Sequence, residues 1–231
     1  MLKFDMAKFH IIIPAAGVGS RMGLGQPKQY LSIHKQTLIE RVVRVFDNIS
    51  LIHSIHIALH SSDEIWKTLN LSFSSKVNAH YCGGESRAET VLNSLKIIKD
   101  YVNKNDWILV HDAVRPGIEG RDVEHLMHVL KDDPVGGLLA YPLADTVKKS
   151  DEEDRVVESP SREHLWQAQT PQMYRYKMLS DALVKFDGIP TDESQAIERL
   201  GVKPKLIKGN FKNFKITYPE DLNILEQLIS K

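Results

Sequence analysis

The sequence predicts an α/β domain with a mostly parallel twisted sheet and helices on both faces. Three observations carry that prediction. Strand-like and helix-like segments alternate from the start of the chain to about residue 142. The runs at 9–14 and 107–110 are apolar throughout, as strands covered on both faces are. The first run gives way at once to a glycine-rich loop, at the end of a strand where open α/β sheets bind ligands.

The elements follow in order. Phe9-His-Ile-Ile-Ile-Pro14 reads as a buried strand stopped by Pro and Gly. Lys3 and Lys8 precede the apolar stretch Phe9 to Gly19. That stretch ends in Gly-Ser-Arg-Met and not in a small-residue cleavage site, so a strand explains it better than a leader. Thr37 to Phe46 carries Leu38, Val42, Val45 and Phe46 at helical spacing. His53 to Leu59 alternates as a strand does, and Lys76 to Tyr81 is a weaker strand. Ala88 to Ile98 places Val91, Leu92, Leu95 and Ile98 on one helical face. Trp107 to Val110 is a strand, Val123 to Leu130 a helix, and Gly137 to Tyr141 a strand.

The alternation breaks between Ala144 and His164, a polar stretch whose sparse apolar residues are Val147, Val156 and Val157. A structureless loop of about 20 residues is unusual inside a compact domain, so a functional excursion is expected. A β-hairpin arm with the acidic Asp151 to Asp154 run at its tip fits it. Beyond it a helix is expected over Tyr176 to Phe186, strands over Lys203 to Ile207 and Phe214 to Thr217, and a helix over Glu220 to Ile229. Pro219 suits a helix start because no amide donor is needed there, and Asp221 suits the positive end of the helix dipole. The whole chain, 1–231, reads as one domain with a protruding arm at about 144–164.

Composition narrows the function. A chain of 231 residues with 42% hydrophobic and 26% charged residues is neither disordered nor fibrous. Lys+Arg and Asp+Glu both total 30, so the basic excess that grips nucleic acid is lacking, and no nucleic-acid partner is expected. No segment approaches the roughly 20 apolar residues that span a bilayer, so no membrane partner is expected. Cys82 has no intrachain partner and reads as a reduced thiol. A cytoplasmic location is the expectation.

The richest segment is Pro14-Ala-Ala-Gly-Val-Gly-Ser-Arg-Met-Gly23, followed by Gln26-Pro-Lys-Gln-Tyr30. Small residues at Ala15, Ala16, Gly17 and Gly19 let backbone approach a ligand, and exposed amides cradle phosphates. The dinucleotide fingerprint would need Gly where Met22 stands, and the Gly-Lys-Ser/Thr of a P-loop is absent. What sets the loop apart is a pair of cations, Arg21 and Lys28, after the glycines. Two cations beside amide donors match a polyphosphate.

These residues resemble the N-terminal loop of the 2-C-methyl-D-erythritol 4-phosphate cytidylyltransferases. The resemblance extends over nearly the whole chain. Gly83-Gly-Glu-Ser-Arg-Ala-Glu-Thr-Val91 and His111-Asp-Ala-Val-Arg-Pro116 are similar to family segments. So are Leu165-Trp-Gln-Ala-Gln-Thr-Pro-Gln172, Thr191-Asp-Glu193 and Asn213-Phe-Lys-Ile-Thr-Tyr-Pro-Glu-Asp-Leu222. The departures are small: Val114 where Ala is usual, and Thr90, which keeps the hydroxyl, where Ser is common.

The resemblance implies a Rossmann-like nucleotidyltransferase fold of GT-A type. It implies a reaction of CTP with a polyol phosphate that releases pyrophosphate, in non-mevalonate isoprenoid precursor synthesis. Arg21 and Lys28 would meet the triphosphate, and Arg162 and Lys215 the phosphate of the second substrate. Ala15, Ala16, Gly17 and Gly19 belong to the nucleotide loop. Gly84, Glu85 and Thr90 match the segment that reads cytosine, and Asp112, Arg115, Thr146 and Thr191 would contact the polyol. Mg2+ would ride mainly on the CTP phosphates, with Asp112 a weak candidate for holding it through water. A homodimer is expected, with the arm carrying Arg162 into the partner's site.

Neither a Ser/His/Asp nor a Cys/His constellation is apparent. A phosphate nucleophile is already anionic near neutral pH and needs no general base. His10, His53, His56, His60 and His111 lack zinc-ligand spacing and read as structural. Two alternatives stay open: a ribitol 5-phosphate cytidylyltransferase, and a non-catalytic nucleotide-binding regulator. The Ala15-Ala16-Gly17 run favours the first reading over the ribitol enzyme, and the two cation pairs argue against the regulator.

Overall fold

The computed structural model describes residues 7–17 and 26–229. Strand β1 (Phe9–Ala15) precedes a 3-10 turn at Lys28–Tyr30 and a small clip of β2 (Ser32–Ile33) and β3 (Gln36–Thr37). Then come α1 (Leu38–Asp47), β4 (Ile52–Leu59), the short α2 (Ile65–Thr68), β5 (Val77–His80) and α3 (Arg87–Ile98). The chain continues through β6 (Trp107–Val110), α4 (Gly120–Leu130) and β7 (Gly136–Pro142). Two arm strands follow, β8 (Lys149–Ser150) and β9 (Val156–Glu158), and then the long β10 (Trp166–Arg175). Helices α5 (Tyr176–Lys185) and α6 (Glu193–Glu198), strand β11 (Lys205–Lys208), a 3-10 turn at Phe211–Asn213 and α7 (Pro219–Leu228) complete it.

Seven strands form the central sheet in the order β11-β7-β10-β6-β1-β4-β5. Every neighbouring pair is parallel except those made by β10, which runs antiparallel to both β6 and β7. Two-residue alternation along β1 sends its side chains to opposite faces. Ile11 and Ile13 pack with Val42, Phe46, Leu126 and Leu130 of α1 and α4. Ile12 packs on the other face with Val91, Leu95, Leu179 and Ile197 of α3, α5 and α6. Burying such side chains stabilises by about 1.5–3 kcal/mol each, which is why a short run can anchor the sheet's centre.

Local sequence sets the helix starts. Thr37 Oγ1 accepts the Glu40 amide at 3.2 Å, Ser86 Oγ the Glu89 amide at 3.1 Å, and Asp192 Oδ1 the Gln195 amide at 2.9 Å. Pro219 occupies the first turn of α7, and Asp221 Oδ2 accepts the amides of Thr217 and Tyr218 at 2.7 and 2.8 Å.

The excursion at 144–164 holds the β8–β9 hairpin, and the acids 151–154 form its turn. Asp151 Oδ1 accepts the amides of Glu153 and Arg155, so the acidic run is its own turn former.

One expected strand is corrected. Phe214 to Thr217 is irregular, not extended in a ladder. Its backbone groups go elsewhere: the Ile216 amide to Val114 O, the Thr217 amide to Asp221, and the Thr217 carbonyl to Lys28. The sequence also gave no sign of β10 as a strand, because Gln167 to Gln172 is polar and contains Pro171. Its polar centre is nonetheless buried, at Gln169, Thr170 and Gln172.

Candidate active site

Parallel β1, β4 and β6 bring their carboxyl ends to one edge of the sheet. A cavity of about 460 Å3 opens there. One wall is the end of β1, Pro14 to Gly17, with Lys28 and Gln29; another is Gly84 to Arg87 and Thr90 at the start of α3. Asp112, Ala113 and Val114 follow β6 into its floor, and Lys215, Ile216 and Thr217 close it.

Lys28 reaches the cavity from the 3-10 turn, and its Nζ donates to the Thr217 carbonyl at 2.7 Å. Gln29 is buried and donates from Nε2 to Ala15 O at 2.7 Å, which pins the loop after β1 against that turn. Small residues at Ala15, Ala16 and Gly17 leave the strand end open to a ligand.

Asp112 is the electrostatic centre. Its Oδ1 lies 2.7 Å from Arg87 Nε; its Oδ2 lies 3.2 Å from both Arg115 Nε and Lys215 Nζ. Burial alone would raise the Asp112 carboxyl, but Arg87, Lys215 and Arg115 outweigh it and hold it well below the usual carboxylate range. Arg87 also reaches the buried Glu193 through Nη1 at 2.6 Å. Among the described residues Glu193 meets this one cation, so burial wins there and its carboxyl is raised. Three cations thus share two carboxylates, and the surplus positive charge faces the cavity at Lys215, across from Lys28 on the same cavity lining.

Behind Asp112, His111 is fully buried. Its Nε2 is 3.2 Å from Arg115 O, which can only accept; its Nδ1 is 2.9 Å from Thr170 Oγ1. A neutral ring donating from Nε2 satisfies both contacts. Burial lowers its pKa to about 4 in agreement with that tautomer. Thr170 Oγ1 in turn accepts the Asp112 amide at 3.1 Å and fixes the carboxylate's backbone.

Of the expected site residues, Ala15, Ala16, Gly17, Lys28, Gly84, Glu85, Thr90, Asp112 and Lys215 are brought together around this cavity. Arg115 stands one step back, held by Asp112 and by the Asn213 carbonyl at 3.0 Å. Gly19 and Arg21 lie outside the described residues. Three further expected residues do not line this cavity. Arg162 and Thr146 are exposed on the arm, where Arg162 donates to the Ala144 carbonyl; Thr191 is exposed before α6, its amide donating to Gln195 Oε1 at 2.7 Å.

Sequence reading missed Arg87, Gln29 and Glu193. All three sit inside segments already singled out, but nothing in their spacing marks a buried ion pair across 106 residues of chain.

Asp112 does not suit direct metal ligation, since both of its oxygens are already engaged by cations. Among the described residues no cluster of three or more His, Cys, Asp and Glu is placed to hold a metal ion, and no helix is long and apolar enough to cross a membrane.

Known proteins match this chain over nearly its whole length. Residues 9–231 match the family model described as IspD: 2-C-methyl-D-erythritol 4-phosphate cytidylyltransferase. A protein of that name from Nitrosomonas eutropha is 47% identical over 227 residues, covering 97% of each chain. One from Pseudomonas aeruginosa is 43% identical over 232 residues, covering 98% of each. Among solved structures, a 4-diphosphocytidyl-2C-methyl-D-erythritol synthase superposes with a TM-score of 0.85 at 33% identity, over 97% of this chain and 99% of the other. A cytidylyltransferase of the same family from Francisella tularensis gives a TM-score of 0.81 at 30% identity, over 96% of this chain and 100% of the other. Sequence, fold and full-length coverage lead to one conclusion: this chain belongs to the 2-C-methyl-D-erythritol 4-phosphate cytidylyltransferase family.

Proposed function

We propose that the chain transfers the cytidylyl group of CTP to 2-C-methyl-D-erythritol 4-phosphate and releases pyrophosphate, a step of isoprenoid precursor synthesis. The observation that carries the reading is a single cavity with the glycine-rich strand end and Lys28 on one side and Lys215 on Asp112 at the other. A phosphate oxygen of the polyol attacks the α-phosphorus of CTP, and the bond to the β-phosphate oxygen breaks. The nucleophile's second pKa is about 6, so it arrives as an anion and requires no base. The barrier is the approach of one anion to another, which fixed positive charge lowers. Lys28 faces the triphosphate, and Arg21, which follows the same glycines in the sequence, is assigned to the same charge; Lys215, oriented by Asp112, holds the second phosphate. Mg2+ favours phosphate oxygens and needs no protein cage, so it would enter on the nucleotide and neutralise its charge.

The arm completes the reading. Val156 and Val157 are exposed on it, 61% and 57%, and a two-stranded hairpin is marginal by itself. Pairing with the arm of a second copy would cover them in a two-fold dimer. Arg162, which does not line its own chain's cavity, would then serve the partner's site, with Thr146 on the same arm and Thr191 contacting the polyol.

Pyrophosphate release tests the transfer. It should require CTP and the methylerythritol phosphate together. Release with CTP alone, or faster turnover with ribitol 5-phosphate, would overturn the assignment.

A further inference from the structure

Gly84 and Glu85 line the cavity, yet their amides are already taken. The Glu85 amide donates to Glu89 Oε2 at 2.8 Å, and the Gly84 amide donates to Thr90 Oγ1 at 3.0 Å. Glu89 is exposed and does not line the cavity. It meets the Glu85 N–H from a position that does not line the cavity. In a trans peptide the carbonyl points opposite to the following N–H. No donor among the described residues reaches the Gly84 C=O, which leaves it open to a ligand.

The glycine at 84 belongs to the same arrangement. A Cβ there would lie 2.5–2.7 Å from the Glu89 side chain, against its Cγ and carboxylate. No left-handed backbone calls for glycine at this position, and a Cβ there would displace the Glu89 carboxylate from the peptide. Glu89 is held in turn by its place in the first turn of α3, where its own amide donates to Ser86 Oγ at 3.1 Å.

We propose that Glu89 is a positioning residue for base selection: its carboxylate turns the Gly84–Glu85 peptide so that the Gly84 carbonyl faces the nucleotide and accepts the exocyclic amine of a cytosine. An inward acceptor suits the amine at C4 of cytosine and repels the carbonyl at C4 of uracil. Without the tether the peptide is free to rotate and offer its N–H, a donor that uracil accepts. This rests on the proposal that CTP occupies the cavity with its base against Gly84 to Thr90.

The test compares CTP with UTP, by direct binding and by kcat/KM with the methylerythritol phosphate, in wild type, Glu89→Ala and Glu89→Gln. The Ala variant should lose about five- to hundredfold of the CTP-over-UTP preference, the scale of one good base-edge contact. The Gln variant keeps an acceptor oxygen for the Glu85 amide and should retain most of that preference. A merely structural role would lower CTP and UTP alike in the Ala variant and leave their ratio unchanged, which overturns the inference. So does a wild type that binds both nucleotides equally. Selective CTP binding that Glu89→Ala abolishes, seen without any pyrophosphate release, supports the tether and overturns the transferase reading instead.

Discussion

Lys28 Nζ donates to the backbone carbonyl of Thr217 at 2.7 Å, joining two segments 189 residues apart. The turn that follows the glycine-rich loop is thereby fastened to the segment that carries Lys215. Lys28 holds the cavity together and presents charge to it.

Lys28→Ala should lower kcat by about 10²–10³, the usual cost of removing a donor aimed at charge that grows in the transition state. Affinity for CTP should fall much less. Steady-state pyrophosphate release and a CTP binding titration measure the two separately. Near wild-type turnover would remove Lys28 from the chemistry.

Lys215→Ala should raise KM for the polyol phosphate, with CTP affinity little changed. Asp112 keeps Arg87 and Arg115 in that variant, so the floor of the site should persist. A large loss of CTP affinity with an unaltered KM for the polyol phosphate would place Lys215 at the nucleotide instead.

Stability should depend on pH through His111. Burial lowers its pKa to about 4 in the folded protein, against about 6.5 in the unfolded chain. Between these values the unfolded state binds the proton and the folded state does not, so stability rises with pH. The contribution is complete above about pH 6.5 and declines toward pH 4, by at most about 1.4 kcal/mol per pH unit for one proton. His56, lowered to about 3 by burial and by His80, adds in the same direction. Denaturant unfolding from pH 7 to pH 4.5 should therefore show a shallower slope in His111→Gln than in wild type. Equal slopes would mean that His111 carries its proton in the fold.

Mixing Arg162→Ala chains with Lys28→Ala chains should partly restore activity. If Arg162 acts on the partner's site, the mixed dimer gathers both lesions in one site and leaves the other whole. If it acts on its own chain, each site keeps one lesion and nothing returns. Activity after mixing, with hetero-dimers verified by differential tagging, decides between them.

Much of this was legible in the sequence, for identifiable reasons. The buried strands at 9–15 and 107–110 show as apolar runs because both of their faces are covered. The glycine-rich loop and Lys28 show because small residues and a cation beside a strand end have few structural uses. β10 stayed hidden because its centre is buried through hydrogen bonds and not through apolar side chains: Gln169 to Asn210, Thr170 to His111, Gln172 to Asp192. The segment at 214–217 misled because Phe214-Lys-Ile-Thr217 alternates as a strand does, while its backbone is spent on Val114, Asp221 and Lys28. The Arg87–Glu193 pair is invisible to spacing because it is made by the fold alone.

The placement of β10 between β6 and β7 also sets an order on synthesis. Chains emerge from the ribosome amino end first, and β6 ends at residue 110 while its neighbour β10 begins at 166. Until that later strand appears, β6 presents a bare row of amides and carbonyls and β7 cannot join the sheet, the kind of edge on which nascent chains adhere to one another. The arm is translated in that interval. A chain cut within it would hold Asp112 without its partner Lys215 or the Thr170 anchor, so the last third of the message supplies the missing strand and the contacts that complete the site together.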